Sequence, residues 1–179
     1  MKKRILIIHG WESNSREHWF LEEKARLKKL GYEVTVPDMP DTFHPKQEEW
    51  VKVIEDFAPD ENSILIGHSL GGVTILRYLE RTNKKLSKCI LIATPVRKLK
   101  RPDYNFEPID HFFEPDFDWK KIKKSSEKFI VLNQTKDPWV DPPHGRDLAK
   151  NLGVELILIE GNDHFDKIDF ELLEKHILK

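Results

Sequence analysis

Six short apolar runs, most of them separated by amphipathic stretches, constrain this chain more than any other feature of it. They are Ile5 to Ile8, Glu33 to Val36, Ile64 to Ile66, Cys89 to Ala93, Phe129 to Leu132 and Leu156 to Ile159. Runs this short and almost continuously apolar, without strict alternation, read as strands covered on both faces. Between them, Trp19 to Leu30 gathers Trp19, Phe20, Leu27 and Leu30 on one side and stops at Gly31, suited to a left-handed C′ position. Gln47 to Phe57 aligns Trp50, Val51, Ile54 and Phe57, while His144 to Leu152 closes on Gly153. Phe170 to Leu178 supplies Leu172, Leu173, His176 and Ile177. Strand–helix alternation predicts an α/β fold, a three-layer sandwich around a six-stranded parallel sheet with right-handed crossovers. A chain of 179 residues fits one domain, 1–179, with a sizeable core.

The rhythm breaks between Pro95 and Ser126. This stretch holds Pro102, Pro108 and Pro115, and the aromatics Tyr104, Phe106, Phe112, Phe113, Phe117 and Trp119. So long an insertion in a compact domain is usually functional, and its aromatic content argues against disorder. The expectation is a small cap or flap at 95–126 with one short helix, lying over the carboxyl end of the sheet with Phe112 and Phe113 facing substrate. The basic run Arg97-Lys98-Leu99-Lys100-Arg101 reads as a solvated face.

Charge narrows the choice of partners. Lys and Arg total 30 against 31 Asp and Glu, so no global field favours nucleic acid or an anionic membrane. Mean hydropathy is −0.57, and the longest apolar runs are too short to span a bilayer. The basic start, Met1-Lys2-Lys3-Arg4, precedes only four apolar residues and no cleavage site, so it reads as a solubilising end before a first strand rather than as a signal peptide. One cysteine, Cys89, excludes an internal disulfide and a cysteine-based zinc site, and the cytoplasm is the expected compartment. No metal-binding or phosphate-loop pattern is present, so neither metal nor cofactor is expected.

The chemistry centres on Gly67-His68-Ser69-Leu70-Gly71, with a strand before it and the helical stretch Gly72-Val73-Thr74-Ile75-Leu76-Arg77-Tyr78-Leu79 behind. In that context G-x-S-x-G is a nucleophile elbow, a turn sharp enough to strain the serine and expose its hydroxyl. The amide of Leu70, at the helix start, is placed to stabilise an oxyanion. A serine hydroxyl needs a base, itself oriented by a carboxylate, and in this topology the order is Ser, acid, His. Asp137 follows the fifth strand and is held by Pro138; Asp141 is the runner-up. His164 follows the sixth strand through Gly161, whereas His176 reads as a packed histidine and His144 as a surface or cap residue. After the first strand, Gly10 lets the chain turn near the elbow, making the Trp11 amide the second oxyanion donor, while His9 shapes that loop. His68, beside the nucleophile, packs rather than activates. Trp11, His68, Phe112, Phe113, Trp139 and Phe165 are the expected substrate contacts.

Taken together, His9-Gly10-Trp11, His18-Trp19, Pro37-Asp38-Met39-Pro40, the Trp50 helix, Gly67 to Gly72, Asp137-Pro138-Trp139-Val140 and Gly161-Asn162-Asp163-His164-Phe165 carry a family resemblance. The chain resembles the retinoblastoma-binding-protein-nine family of small serine hydrolases, a compact branch of the α/β-hydrolases. The resemblance implies a minimal fold lacking the first strands of larger members, a triad mapping onto Ser69, Asp137 and His164, and no cofactor. The Leu-x-Cys-x-Glu segment of the family's animal member is missing around Cys89, so retinoblastoma-protein binding is not implied. The expected activity is hydrolysis of small-molecule esters or other acyl compounds through an acyl-enzyme. A thioesterase or amidase would use the same groups. A binding module that keeps the fold without turnover is the reading from another class, and the complete set of groups weighs against it.

Overall fold

The computed structural model describes residues 3–178. Six parallel strands form one sheet: β1 (Arg4–Ile8), β2 (Glu33–Thr35), β3 (Ser63–His68), β4 (Leu86–Ile92), β5 (Ser126–Gln134) and β6 (Leu156–Ile159). Their order is β2-β1-β3-β4-β5-β6, so the strand order reverses between β1 and β3. The flanking helices are α1 (Phe20–Lys29), α2 (Gln47–Phe57), α3 (Leu70–Leu79), α4 (Trp119–Lys124), α5 (Pro142–Leu152) and α6 (Phe170–Leu178).

Successive strand residues point to opposite faces, and the apolar core divides accordingly. Leu6, Ile8, Leu65, Leu91 and Val131 face a layer built from α2, α3, α4 and α5, around a fully buried Trp50. Ile5, Ile7, Ile64, Ile66, Ile90 and Leu132 face α1 and α6, through Phe20, Leu27, Leu173 and Ile177. This is the expected three-layer sandwich. Leu30, expected on the buried face of α1, is exposed at its C-terminus. Gly31 follows at φ +92°, where a side chain would be strained. Among the described residues, no helix is long and apolar enough to cross a membrane.

The 95–126 segment divides in two. Its first part, with Pro95, Leu99, Tyr104 and Phe106, lines a cleft at the carboxyl ends of the strands. The second part forms a 3-10 helix, Glu107–Phe113, and α4, and packs onto the body. Phe112 and Phe113 are corrected here: both are buried in the core, and Phe112 meets the Trp50 ring edge-on at 5.8 Å. The reason lies on α3. Arg77, buried there, donates to the carbonyls of Phe112 (2.8 Å) and Pro115 (2.6 Å) and stacks over Phe117 at 4.0 Å, tying the segment down.

Candidate active site

Strand β3 runs directly into α3, and Ser69 at the junction takes φ 53°, ψ −121°. That backbone geometry is strained for a residue with a side chain, and it is held from both sides. The Ser69 amide donates to Ile92 O at 2.9 Å, while its carbonyl accepts from the Gly72 amide at 3.0 Å. A Cβ at Gly67 would lie 2.5 Å from the Gly72 backbone, and one at Gly71 would lie 2.3 Å from Ile8 O. The glycines of the motif are therefore demanded by the closeness of strand and helix.

The elbow follows β3 and the Gly10-Trp11 loop follows β1, so the two flank the point where strand order reverses, the usual place for a ligand in such a sheet. A Cβ at Gly10 would sit 3.1 Å from Ser69 Cβ. The amides of Trp11 and Leu70 donate to no acceptor among the described residues, and both residues line the cleft with Ser69. His9 shapes this loop: Nδ1 donates to Gly10 O at 2.8 Å and Nε2 accepts from the Met39 amide at 3.0 Å. Burial holds its pKa below the usual histidine value.

Asp137 and His164 come together. The Asp137 carboxylate, fully buried at its side chain, accepts from His164 Nδ1 at 2.8 and 2.9 Å. It also accepts from the amides of Trp139 (2.9 Å) and Val140 (2.8 Å), which fixes its orientation. With Nδ1 engaged, Nε2 is the nitrogen of His164 left for a hydroxyl. No hydrogen bond joins it to Ser69 Oγ among the described residues, and such contacts commonly tighten only when substrate binds. Asp141 is placed elsewhere, exposed at the start of α5 and 3.5 Å from His144 Nε2. His144 is buried, not a surface residue: its Nδ1 accepts from the Val96 amide at 3.2 Å, and burial above all pushes its pKa down to about 4. His176 is half-buried in α6.

His164 and Phe165 are consecutive left-handed residues, φ 56° and 57°, and three side chains hold them there. His68 Nε2 donates to His164 O at 2.8 Å, and Trp19 Nε1 donates to Phe165 O at 3.0 Å. Gln134 accepts from the Asp163 amide at 3.0 Å and donates to the Asp163 carboxylate at 2.6 Å. Because a carbonyl can only accept, the His68 proton sits on Nε2, and its buried Nδ1 has no partner among the described residues. Burial and the neighbouring His164 keep His68 well below the ordinary histidine pKa. Phe165 is a correction: its ring is buried in the layer under α1 and α6 and does not line the cleft. Gln134 escaped the sequence reading. The only signal was a polar pair, Asn133-Gln134, directly after the apolar run Phe129 to Leu132.

The cleft itself has a cavity volume of about 260 Å³. One wall is aromatic: the Tyr104 ring lies 5.7 Å from Trp11, 5.1 Å from Phe106 and 5.1 Å from Trp139. Across the mouth, the Tyr104 hydroxyl donates to the Glu12 carboxylate. Trp11, His68 and Trp139 thus line the cleft, with Tyr104 and Phe106 in the place expected of Phe112 and Phe113.

Comparison with known proteins places this geometry in context. The serine hydrolase family model matches residues 5–172. The chain belongs to the serine hydrolase family. It is 31% identical to YdeN of Bacillus subtilis over 169 residues, covering 92% of this chain and 87% of the relative. It is 27% identical to the serine hydrolase RBBP9 of Rattus norvegicus over 166 residues, covering 92% and 83%. The crystal structure of the B. subtilis ydeN product superimposes with a TM-score of 0.90 at 28% identity, covering 99% of this chain and 100% of that one. Est1E of Butyrivibrio proteoclasticus shares the fold, with a TM-score of 0.75 at 15% identity, covering 98% and 85%. This serine hydrolase therefore has a minimal α/β-hydrolase fold, and it is a hydrolase.

Proposed function

We propose that the protein is a cytoplasmic esterase that cleaves small ester or acyl substrates through an acyl-enzyme on Ser69. The observation that carries this reading is the buried Asp137 carboxylate on His164 Nδ1 at 2.8 Å, in a cleft that also holds the strained Ser69. His164 Nε2 takes the Ser69 proton as Oγ attacks the acyl carbon, and Asp137 fixes the tautomer and stabilises the imidazolium. The oxyanion develops against the amides of Trp11 and Leu70, each worth roughly 3 kcal/mol of barrier. His164 then protonates the leaving oxygen, and the same imidazole activates water to release the acid. The aromatic wall favours an apolar acyl group of modest size. A single cysteine, Cys89, leaves no internal disulfide and supports a cytoplasmic setting. Its partner is taken to be a small acyl substrate, with no nucleic acid, membrane or retinoblastoma protein.

Ser69→Ala tests the reading directly. It is expected to abolish both p-nitrophenyl acetate hydrolysis and fluorophosphonate labelling while the circular dichroism spectrum stays unchanged. His164→Ala costs several orders of magnitude in kcat, and Asp137→Asn about 10⁴-fold through the wrong tautomer. Undiminished turnover in Ser69→Ala would overturn the assignment. A matched panel of esters, thioesters and amides sets the bond preference.

A further inference from the structure

A second histidine–carboxylate pair faces the same cleft, and the chemistry above makes no use of it. His18 Nδ1 lies 3.2 Å from Asp166 Oδ1, an ion-pair contact looser than the hydrogen-bonded pair of His164 and Asp137. His18 also shares the left-handed backbone of His164, with φ 52° against 56°. The His68 ring stands between them, 5.9 Å from His18 and 4.8 Å from His164. His18, Asp166, His68 and Ser69 all line the cleft. So does Ser13, 7% exposed, whose buried hydroxyl has no hydrogen-bond partner among the described residues.

The two pairs differ in what surrounds the carboxylate. Asp137 has no exposed side-chain surface, whereas 58% of the Asp166 side chain is exposed and 24% of His18. The outer pair is open to the cleft and to solvent, where a substrate group can reach it. It is well suited to binding. An imidazole has one ring nitrogen that donates and one that accepts, so His18 can pair with a hydroxyl in either tautomer, and Ser13 Oγ can both donate and accept.

Location says which part of the substrate these groups meet. On the proposed mechanism, His164 protonates the leaving oxygen, so the departing alcohol lies at the His164 end of the cleft. Asp166 is two residues beyond His164, and His18 reaches that end through His68. The aromatic rings of Trp11, Tyr104, Phe106 and Trp139 are left to meet the acyl group. Building on the Ser69 reading, we propose that His18, Asp166 and Ser13 form a leaving-group subsite that reads a second hydroxyl on the departing alcohol. The substrate class is then acyl esters of di- or trihydric alcohols, ahead of esters of simple alkyl alcohols.

Two butyrates with one acyl group and different alcohols test this: 2,3-dihydroxypropyl butyrate and propyl butyrate. The wild-type enzyme is expected to favour the dihydroxypropyl ester about tenfold in kcat/KM, the scale of one net hydrogen bond in a partly solvated site. His18→Asn keeps a residue that tolerates the left-handed backbone but removes the imidazole. It should bring the ratio close to one, and Ser13→Ala should lower it. A wild-type ratio near one in an enzyme that reacts with fluorophosphonate overturns the subsite alone. A His18→Asn variant that keeps the tenfold ratio, whether or not both rates fall together, assigns His18 a structural role and also overturns it. A wild-type enzyme unreactive to fluorophosphonate overturns the Ser69 reading and the subsite with it.

Discussion

Left-handed non-glycine residues gather around the cleft: Glu12, His18, Ser69, His164 and Phe165 all have φ between 52° and 57°. Each costs about 1–3 kcal/mol, and such a cluster persists only where the surroundings over-determine it. For Ser69 the over-determination was legible, because the glycines of Gly67 to Gly71 announce a turn too tight for side chains. For His164 it was not. Its support comes from Trp19, His68 and Gln134, residues distant in sequence whose side chains converge only in the folded protein. His68 is thus a positioning residue for the proposed base. His68→Phe removes the donor to the His164 carbonyl and lets the imidazole drift; a displacement near 1 Å costs about 10²-fold. The expected loss is in kcat, with little change in KM and partial rescue in His68→Gln, whose amide can still donate. Steady-state kinetics on p-nitrophenyl acetate check it, and an effect on KM alone would assign His68 to substrate binding instead.

Element positions followed from the apolar pattern, and element ends did not. β4 and β5 begin earlier than their apolar runs: Leu86 pairs with Ser126 and Lys88 with Lys128, and the Lys88 ammonium is accommodated by donating to the Ile177 carbonyl at 2.8 Å. A second departure from the apolar pattern sits on α1, where Glu23 is fully buried and neither carboxylate oxygen has a hydrogen-bond partner among the described residues. Burial pushes its pKa up to about 7, Glu174 on α6 and Glu22 add to the rise, and Arg26 opposes it. A raised folded-state pKa means that, between the ordinary glutamate value and about 7, the folded protein holds a proton the unfolded chain has lost. Stability from this group is therefore present at low pH and lost as pH rises through that window. Glu23→Gln should be more stable than the wild type at pH 8 by on the order of 1–3 kcal/mol, with the gap closing toward pH 5. Urea midpoints at the two pH values measure it; a gap independent of pH would mean the charge is not what destabilises α1.

At the scale of the whole molecule, the sheet order puts the loops after β1, β3, β5 and β6 around one crevice, and strand–helix alternation made that architecture readable from the chain. The 95–126 segment was readable only as an aromatic insertion, since composition does not say which rings face the body and which face the cleft. Arg77 decides it: a guanidinium buried on α3 needs acceptors, and the carbonyls of Phe112 and Pro115 supply them. Fixing those carbonyls turns Phe112 into the core and leaves Tyr104 and Phe106 at the cleft. The two halves should therefore respond differently to truncation. Phe112→Ala leaves a cavity beside Trp50 and should cost about 3–5 kcal/mol of stability, read as a lowered urea midpoint. Its preference among acyl chain lengths should stay that of the wild type. Phe106→Ala should do the reverse, enlarging the acyl side of the cleft and shifting preference from short toward longer p-nitrophenyl esters, with a smaller loss of stability. If Phe112→Ala changed the chain-length profile and Phe106→Ala did not, the division of this segment into a packed half and a substrate-facing half would be wrong.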